Sequence, residues 1–279
     1  MALCKDPRLT YLNSQGYNVV LLPRVGIEPL DILGRDDGNI SRLGTMSQIW
    51  SSPIPAPSPG PPQPAADIAG TKTDDLKLSI GLSLLSNILN GLGSVVGLPK
   101  LTLAYQRARS LQYTFGEVVA ISIDPFAIGA YLSKGDLQQD NPFVDHYFDQ
   151  EETTAYILTE VLKSDSVTVT AKSDQGTSVS VDLPAIQQLV GVNVSVTSNS
   201  SDNSELTYKG KAMLTFGFKA FAIMHADNKW SVEGVAPSGN MAFFEGGEEQ
   251  AAGLKPIMLS TGCLLRLGHE RRPGLASAA

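Results

Sequence analysis

The sequence predicts an α+β fold: a twisted antiparallel sheet with peripheral helices, in one domain with a short C-terminal segment. Three observations lead there. From residue 166 onward, apolar and polar residues alternate in run after run, the pattern of half-buried strands. Between Leu85 and Val96 the apolar residues recur at helical spacing instead. Composition is that of a chain with a real core: of 279 residues, 42% are hydrophobic and 18% charged.

The elements follow in order. A turn at Ser14–Gly16 leads into a buried strand over 17–22, which Pro23 is expected to end because it cannot donate to a ladder. Leu30, Ile32 and Leu33 begin a second apolar stretch, closed by the turn residues Asp36-Asp37-Gly38. The run PIPAPSPGPPQP, residues 53–64, reads as a surface linker. In LKLSIGLSL, Leu76, Leu78, Ile80, Leu82 and Leu84 alternate with Lys77, Ser79, Gly81 and Ser83, which reads as a strand. A helix follows, broken by Gly91 and Gly93 and ended by Gly97 and Pro99. Alternation at Leu101, Leu103 and Tyr105, and again at Leu111, Tyr113 and Phe115, predicts strands, with a more fully apolar strand over 117–123. Residues 136–155 read as loop, and 153–163 as a helix.

Val167 and Val169 then face away from Thr168 and Thr170. After the turn Ser173-Asp174-Gln175-Gly176, Val179 and Val181 oppose Ser178 and Ser180, so residues 166–183 read as a hairpin. A helical turn from Pro184 precedes a further alternating run through Val192, Val194 and Val196, and then a long strand over 206–224. The segment FFEGGEEQAAG has no core period and suits an exposed, protease-sensitive loop.

Several function classes are excluded or disfavoured. The formal charge of −7 provides no basic surplus for nucleic acid. No run of 18 apolar residues predicts a transmembrane helix, and Lys5, Asp6 and Arg8 interrupt any signal-peptide core. His146, His225 and His269 share no metal-ligand spacing with one another or with Cys4 and Cys263, so no metal or cofactor is expected. GLGSVVG at 91–97 is not a dinucleotide fingerprint.

Two features point to a membrane. Cys4 lies beside Lys5 and near Arg8, where positive charge favours the nucleophilic thiolate; acylation and a bland terminal residue both fit. The polar faces of the alternating strands are built of Ser, Thr, Asn and Gly, as suits strands with one lipid-facing and one water-facing side. Leu76, Leu78, Ile80, Leu82, Val167, Val169, Val179, Val181, Val192, Val194 and Val196 are the membrane-hairpin candidates. A half-buried sheet of a soluble protein fits the same pattern. An open edge cannot sit in hydrocarbon, so strand insertion would require a closed barrel shared among copies.

The stretch CKDPRLTYLNSQGYNVVLLPRVGIEPLDILGRDDG, within residues 1–40, strongly resembles the N-terminus of bacterial gasdermins, and the general layout matches through residue 279. That resemblance implies a gasdermin-like pore-forming domain over 1–244, a cleavable linker over 245–254 and an autoinhibitory segment over 255–279. It implies covalent palmitate on Cys4, and a caspase-like protease that cuts within Phe244, Glu245, Gly246, Gly247, Glu248, Glu249, Gln250, Ala251, Ala252, Gly253 and Leu254. The freed body, cytoplasmic until then, would assemble with copies of itself as a β-barrel in the inner membrane and kill the infected cell in antiphage defence. Such a protein is not an enzyme.

The tail beyond residue 239 holds four acidic and four basic residues, so its loss leaves the charge at −7. Release therefore works by uncovering surface, with Ile257, Met258, Leu259, Leu264, Leu265 and Leu267 as the inhibitory contacts. A lipid-anchored or lipid-carrying protein without pore activity is the alternative.

Overall fold

The computed structural model describes residues 16–36, 39–65, 75–138, 142–148, 154–226 and 229–233. Its centre is an 11-stranded sheet in which every pairing is antiparallel. In chain order come β1 (Asn18–Arg24), β2 (Asp31–Asp36), β3 (Asn39–Thr45), the single turn α1 (Met46–Ile49), β4 (Trp50–Ser51), β5 (Gln63–Pro64) and β6 (Leu76–Lys77). Then follow α2 (Leu78–Gly91), α3 (Leu98–Ala104), β7 (Ser110–Gly116), β8 (Val119–Ser122), α4 (Pro125–Leu132), β9 (Asp136–Leu137) and α5 (Pro142–Phe148). The chain closes with β10 (Thr154–Lys172), α6 (Leu183–Val190), β11 (Ser195–Ser198), β12 (Glu205–Ala226) and β13 (Lys229–Glu233). The α+β reading holds: an antiparallel sheet with helices laid against it.

Five local expectations are corrected. LKLSIGLSL is a strand for two residues only; Leu78, Ile80 and Leu82 belong to α2. Leu82, Leu85, Ile88, Leu89 and Leu92 are spaced three or four apart and all are buried, so the helical period takes in the same leucines that seem to alternate. The helix stops at Gly93, whose φ of +98° is cheap only for glycine. There the Ser94 and Gly93 amides close back on the Leu89 and Asn90 carbonyls at 2.9 and 3.1 Å. Leu101 and Leu103 are likewise helical, in α3, with Pro99 in the first turn where its missing N–H costs nothing.

Residues 153–163 are not a helix but the start of β10. The run Ala155–Thr159 is buried throughout, because both sheet faces are covered there and alternation disappears. The span 136–155 carries β9 and α5 rather than loop alone. Finally, Pro23 does not end β1; it sits in the register break between Val19 and Arg24, where no ladder bond is asked of it.

Three apolar clusters result. The first packs α2, α3 and α6 on β7, the Lys172 end of β10 and the Glu205 end of β12. A second, around Val161 and Phe218, joins β1, β2, β10 and β12. The third lies under α1, α4 and α5, around Ile157, Phe221 and Trp50.

Candidate membrane-insertion ribbon

Two strands dominate the sheet. β10 has 19 residues and β12 has 22, roughly 60 and 70 Å of strand at about 3.3 Å per residue. A tilted transmembrane strand needs only about 9–11 residues. The two are paired from Thr170–Glu205 at one end to Tyr156–Ala222 at the other. Among the described residues, no helix is long and apolar enough to cross a membrane.

Both outer edges of this ribbon are covered piecemeal. Along β10 the cover is β7 on residues 166–172, β8 on 160–163 and β2 on 154–157. Along β12 it is β11 on 206–209, β1 on 215–218 and β13 on 222–226. Neither long strand presents a continuous unpaired edge on which a second chain could build.

The two faces differ in chemistry. Toward the helices, Val167, Val169, Ala171, Leu206 and Tyr208 are buried together. On the other face the Thr168 and Thr207 hydroxyls meet at 2.7 Å, and Thr170 donates to Glu205 at 3.3 Å. Nearer the Thr154 end, charges link the ribbon to its neighbours. Lys163 pairs with Glu28, and Glu160 accepts from the Tyr17 hydroxyl and from Lys219, which also lies over the Tyr17 ring.

Halfway along, the ladders stop at one level. The Ser164–Leu214 and Ser166–Lys209 pairs enclose one residue of β10 and four of β12. On the other side Glu117 and Val118 separate β7 from β8, with Glu117 in a left-handed conformation at φ +48°. Lys209 reaches Glu117 at 2.6 Å and Asp165 at 3.6 Å. Its pKa is pushed up from the ordinary lysine value, first by the hydrogen bond to Glu117, with the Asp165 charge adding and desolvation opposing. The phenols of Tyr105, Tyr113 and Tyr208 are all raised, chiefly by burial. In the turn before β12, hydrogen bonds from Ser204 and then Ser200 hold the Asp202 carboxyl below its usual value.

The hairpin candidates largely meet in one place. Leu76, Leu82, Val167, Val169, Val181, Val194 and Val196 share the first core cluster, with Leu78 and Val179 packed against it. Their strand assignments hold only in part. Leu76, Val167, Val169 and Val196 are in strands. Val179 and Val181 lie on a return segment joined to β10 by the Lys172–Ser178 bridge and by the Val179 amide on the Ala171 carbonyl. Val192 is fully exposed in the turn after α6. Cys4, the linker from Phe244 to Leu254 and the tail from Ile257 to Leu267 lie outside the described residues.

Reading the sequence missed two contributors: the cover of β10 by β7 and β8 together, and the Glu117–Asp165–Lys209 set. The first had a signal in the alternating run 111–115 followed directly by the more apolar 117–123. The second had none, since the three residues are far apart in the chain. Among the described residues no group of three His, Cys, Asp or Glu could hold a metal ion.

Comparison with known proteins agrees with this architecture. Residues 20–231 match the Bacterial Gasdermin Family. A gasdermin of Vitiosangium sp. (strain GDMCC 1.1324) is 39% identical over 227 residues, covering 80% of this chain and 83% of the relative. One from a Desulfuromonadales bacterium is 32% identical, covering 95% of this chain and 98% of its own. The solved bacterial gasdermin from Bradyrhizobium tropiciagri superposes with a TM-score of 0.65 over 95% of this chain and 97% of that one; at 14% identity it supports the fold alone. The chain belongs to the bacterial gasdermin family, whose role is pore formation.

Proposed function

We propose that this protein is an autoinhibited pore former: cutting the 245–254 linker releases the 255–279 segment, and the 1–244 body then assembles as a shared β-barrel in the cell membrane. The observation that carries the reading is the β10–β12 ribbon, each strand about twice as long as a crossing needs and each outer edge tiled by three short strands. A protomer with its edges covered stays separate, and copies with uncovered edges can pair until the barrel closes.

The trigger proposed is a cut: residues 240–279 together carry no net charge, the four basic residues of 255–279 being balanced by Glu270 and the three linker glutamates. Once untethered, a segment held by six apolar side chains can dissociate and shift the population. The partners proposed are an activating protease of the caspase-like class, membrane lipids and further copies of this chain. Palmitate on Cys4 would add one anchoring signal, and inserted strands the second, since a single acyl chain binds only marginally. The resting protein would be cytoplasmic, the pore in the inner membrane, and the outcome death of a phage-infected cell.

The test is expression of residues 1–244 beside the full chain, with dye leakage from liposomes before and after limited proteolysis. Toxicity and leakage confined to the trimmed form are expected. Sealed vesicles after complete cleavage would instead favour a lipid-carrying protein.

A further inference from the structure

The level at which three neighbouring strand lines, β7–β8, β10 and β12, lose their ladders is built from matched parts. β12 spends Gly210, Lys211, Ala212 and Met213 where β10 spends Asp165 alone. The surplus of three residues is an extended bulge, a feature that bends a strand and sharpens its twist. Small residues line the level. A Cβ on Gly116 would lie 2.6 Å from Ser166 Oγ, and one on Gly210 would lie 2.8 Å from a Leu92 side-chain carbon. The Ser164 hydroxyl reaches the Gly116 carbonyl and accepts from the Ser166 amide at 3.1 Å, bridging the gap the ladders leave.

Lys209 holds this arrangement from the side. It stands on β12, yet its ammonium bonds Glu117, beyond β7 on the far side of β10, and sits near Asp165 of β10 itself. Asp165 Oδ1 is buried and, among the described residues, has no hydrogen-bond partner. The ammonium is therefore the group that compensates this partly buried carboxylate.

We infer that this level is a fold line fastened by Lys209 to Glu117 and Asp165, and that the fastening must open when the three strands become continuous in the membrane. The inference rests on the pore-forming reading. Its physical basis is register. Making the β10–β12 ladder regular requires moving the surplus out along β12, and a slip by an odd number of residues turns alternate side chains to the opposite face. Glu117 must also leave its left-handed conformation for an extended one. Lys209 cannot keep both carboxylates through those changes, so the clasp favours the resting, interrupted sheet.

The experiment compares full-length wild type with Lys209→Met, Lys209→Arg and Lys211→Met, the last removing an equal charge from the neighbouring bulge. Amide hydrogen exchange of the uncut chain is read at 116–118, 164–166 and 209–213. Vesicle leakage is read after limited proteolysis at low salt and at about 1 M salt, where the screening length is only about 3 Å. Exposed ion pairs are individually weak, so Lys209→Met is expected to speed leakage about 2- to 5-fold at low salt. That gain should shrink at high salt, exchange along the fold line should rise, and Lys209→Arg and Lys211→Met should behave as wild type.

Wild-type exchange along the line in Lys209→Met would overturn the clasp, as would a leakage gain shared by Lys211→Met or unchanged by salt. Should wild-type chain fail to leak after cleavage, the pore reading falls instead, and the exchange comparison alone upholds or overturns the clasp.

Discussion

The hydroxyls of Tyr105 and Tyr208 meet at 2.6 Å in the first core cluster, one just past the end of α3 and the other on β12. Both side chains are fully buried, so each phenol satisfies the other where no solvent can. Tyr208→Phe leaves the Tyr105 hydroxyl without that partner and should cost about 1–3 kcal/mol. The double change Tyr105→Phe/Tyr208→Phe should cost less than the two single changes together. Urea denaturation of the four proteins checks this; strict additivity would show that the contact carries no coupling.

The same burial predicts alkaline sensitivity. Tyr105, Tyr113 and Tyr208 all have pKa values raised in the folded protein, desolvation being the first cause. The folded state thus holds protons that the unfolded chain releases near the ordinary tyrosine value of 10.0. Stability from these groups is whole below that pH and is lost as pH rises above it. Phenolate absorbance followed beside circular dichroism should show Tyr105, Tyr113 and Tyr208, at least, ionising only as the fold is lost. Smooth ionisation of all eight tyrosines before any loss of structure would contradict the burial.

Leu85→Ala should be costly and Leu103→Ala cheap. Leu85 is fully enclosed between α2 and the sheet, whereas Leu103 is 69% exposed on α3. A cavity at Leu85 should remove about 2–5 kcal/mol. Trimming Leu103 should change stability by no more than about 0.5 kcal/mol. Thermal melts of the two variants give the comparison, and equal shifts would count against the packing described.

Cys4→Ala tests the proposed lipid. The variant should lose any acyl adduct from its intact mass, keep its melting temperature, and leak vesicles more slowly after cleavage. Leakage at the wild-type rate from a chain lacking the adduct would remove the lipid from the mechanism.

The legible parts of the fold were those with one unambiguous period. β12 is visible as a long apolar-alternating run, α6 announces itself by Pro184 after the capping Asp182, and Leu111–Phe115 falls inside β7. The misreadings share a cause: burial overrode local pattern. Leucines of α2 sit at intervals that satisfy two periods across nine residues, and only the continuation to Leu92 separates them. TAYILTEVLK is apolar because the start of β10 is covered on both faces, so it imitates a helix. The ribbon was half visible, through Val167, Val169 and the long strand after residue 205. The strands that cover its edges were partly visible, β7 and β8 among them, but their pairing with it was not, because β1, β2, β7 and β8 reach it from far earlier in the chain.

That tiled cover also sets how the molecule tolerates accident. Each tile pairs with at most seven residues of a long strand, fewer than the roughly nine that a membrane crossing takes. If thermal fraying lifts one tile, the bared stretch is too short to span a bilayer, and the tiles beside it stay seated. If the ribbon inserts as proposed, premature insertion would need neighbouring losses to coincide, and that coincidence is far rarer than any one of them. Under the proposed pore-forming reading, this spreads the protection of the long strands over six modest contacts instead of one strong one.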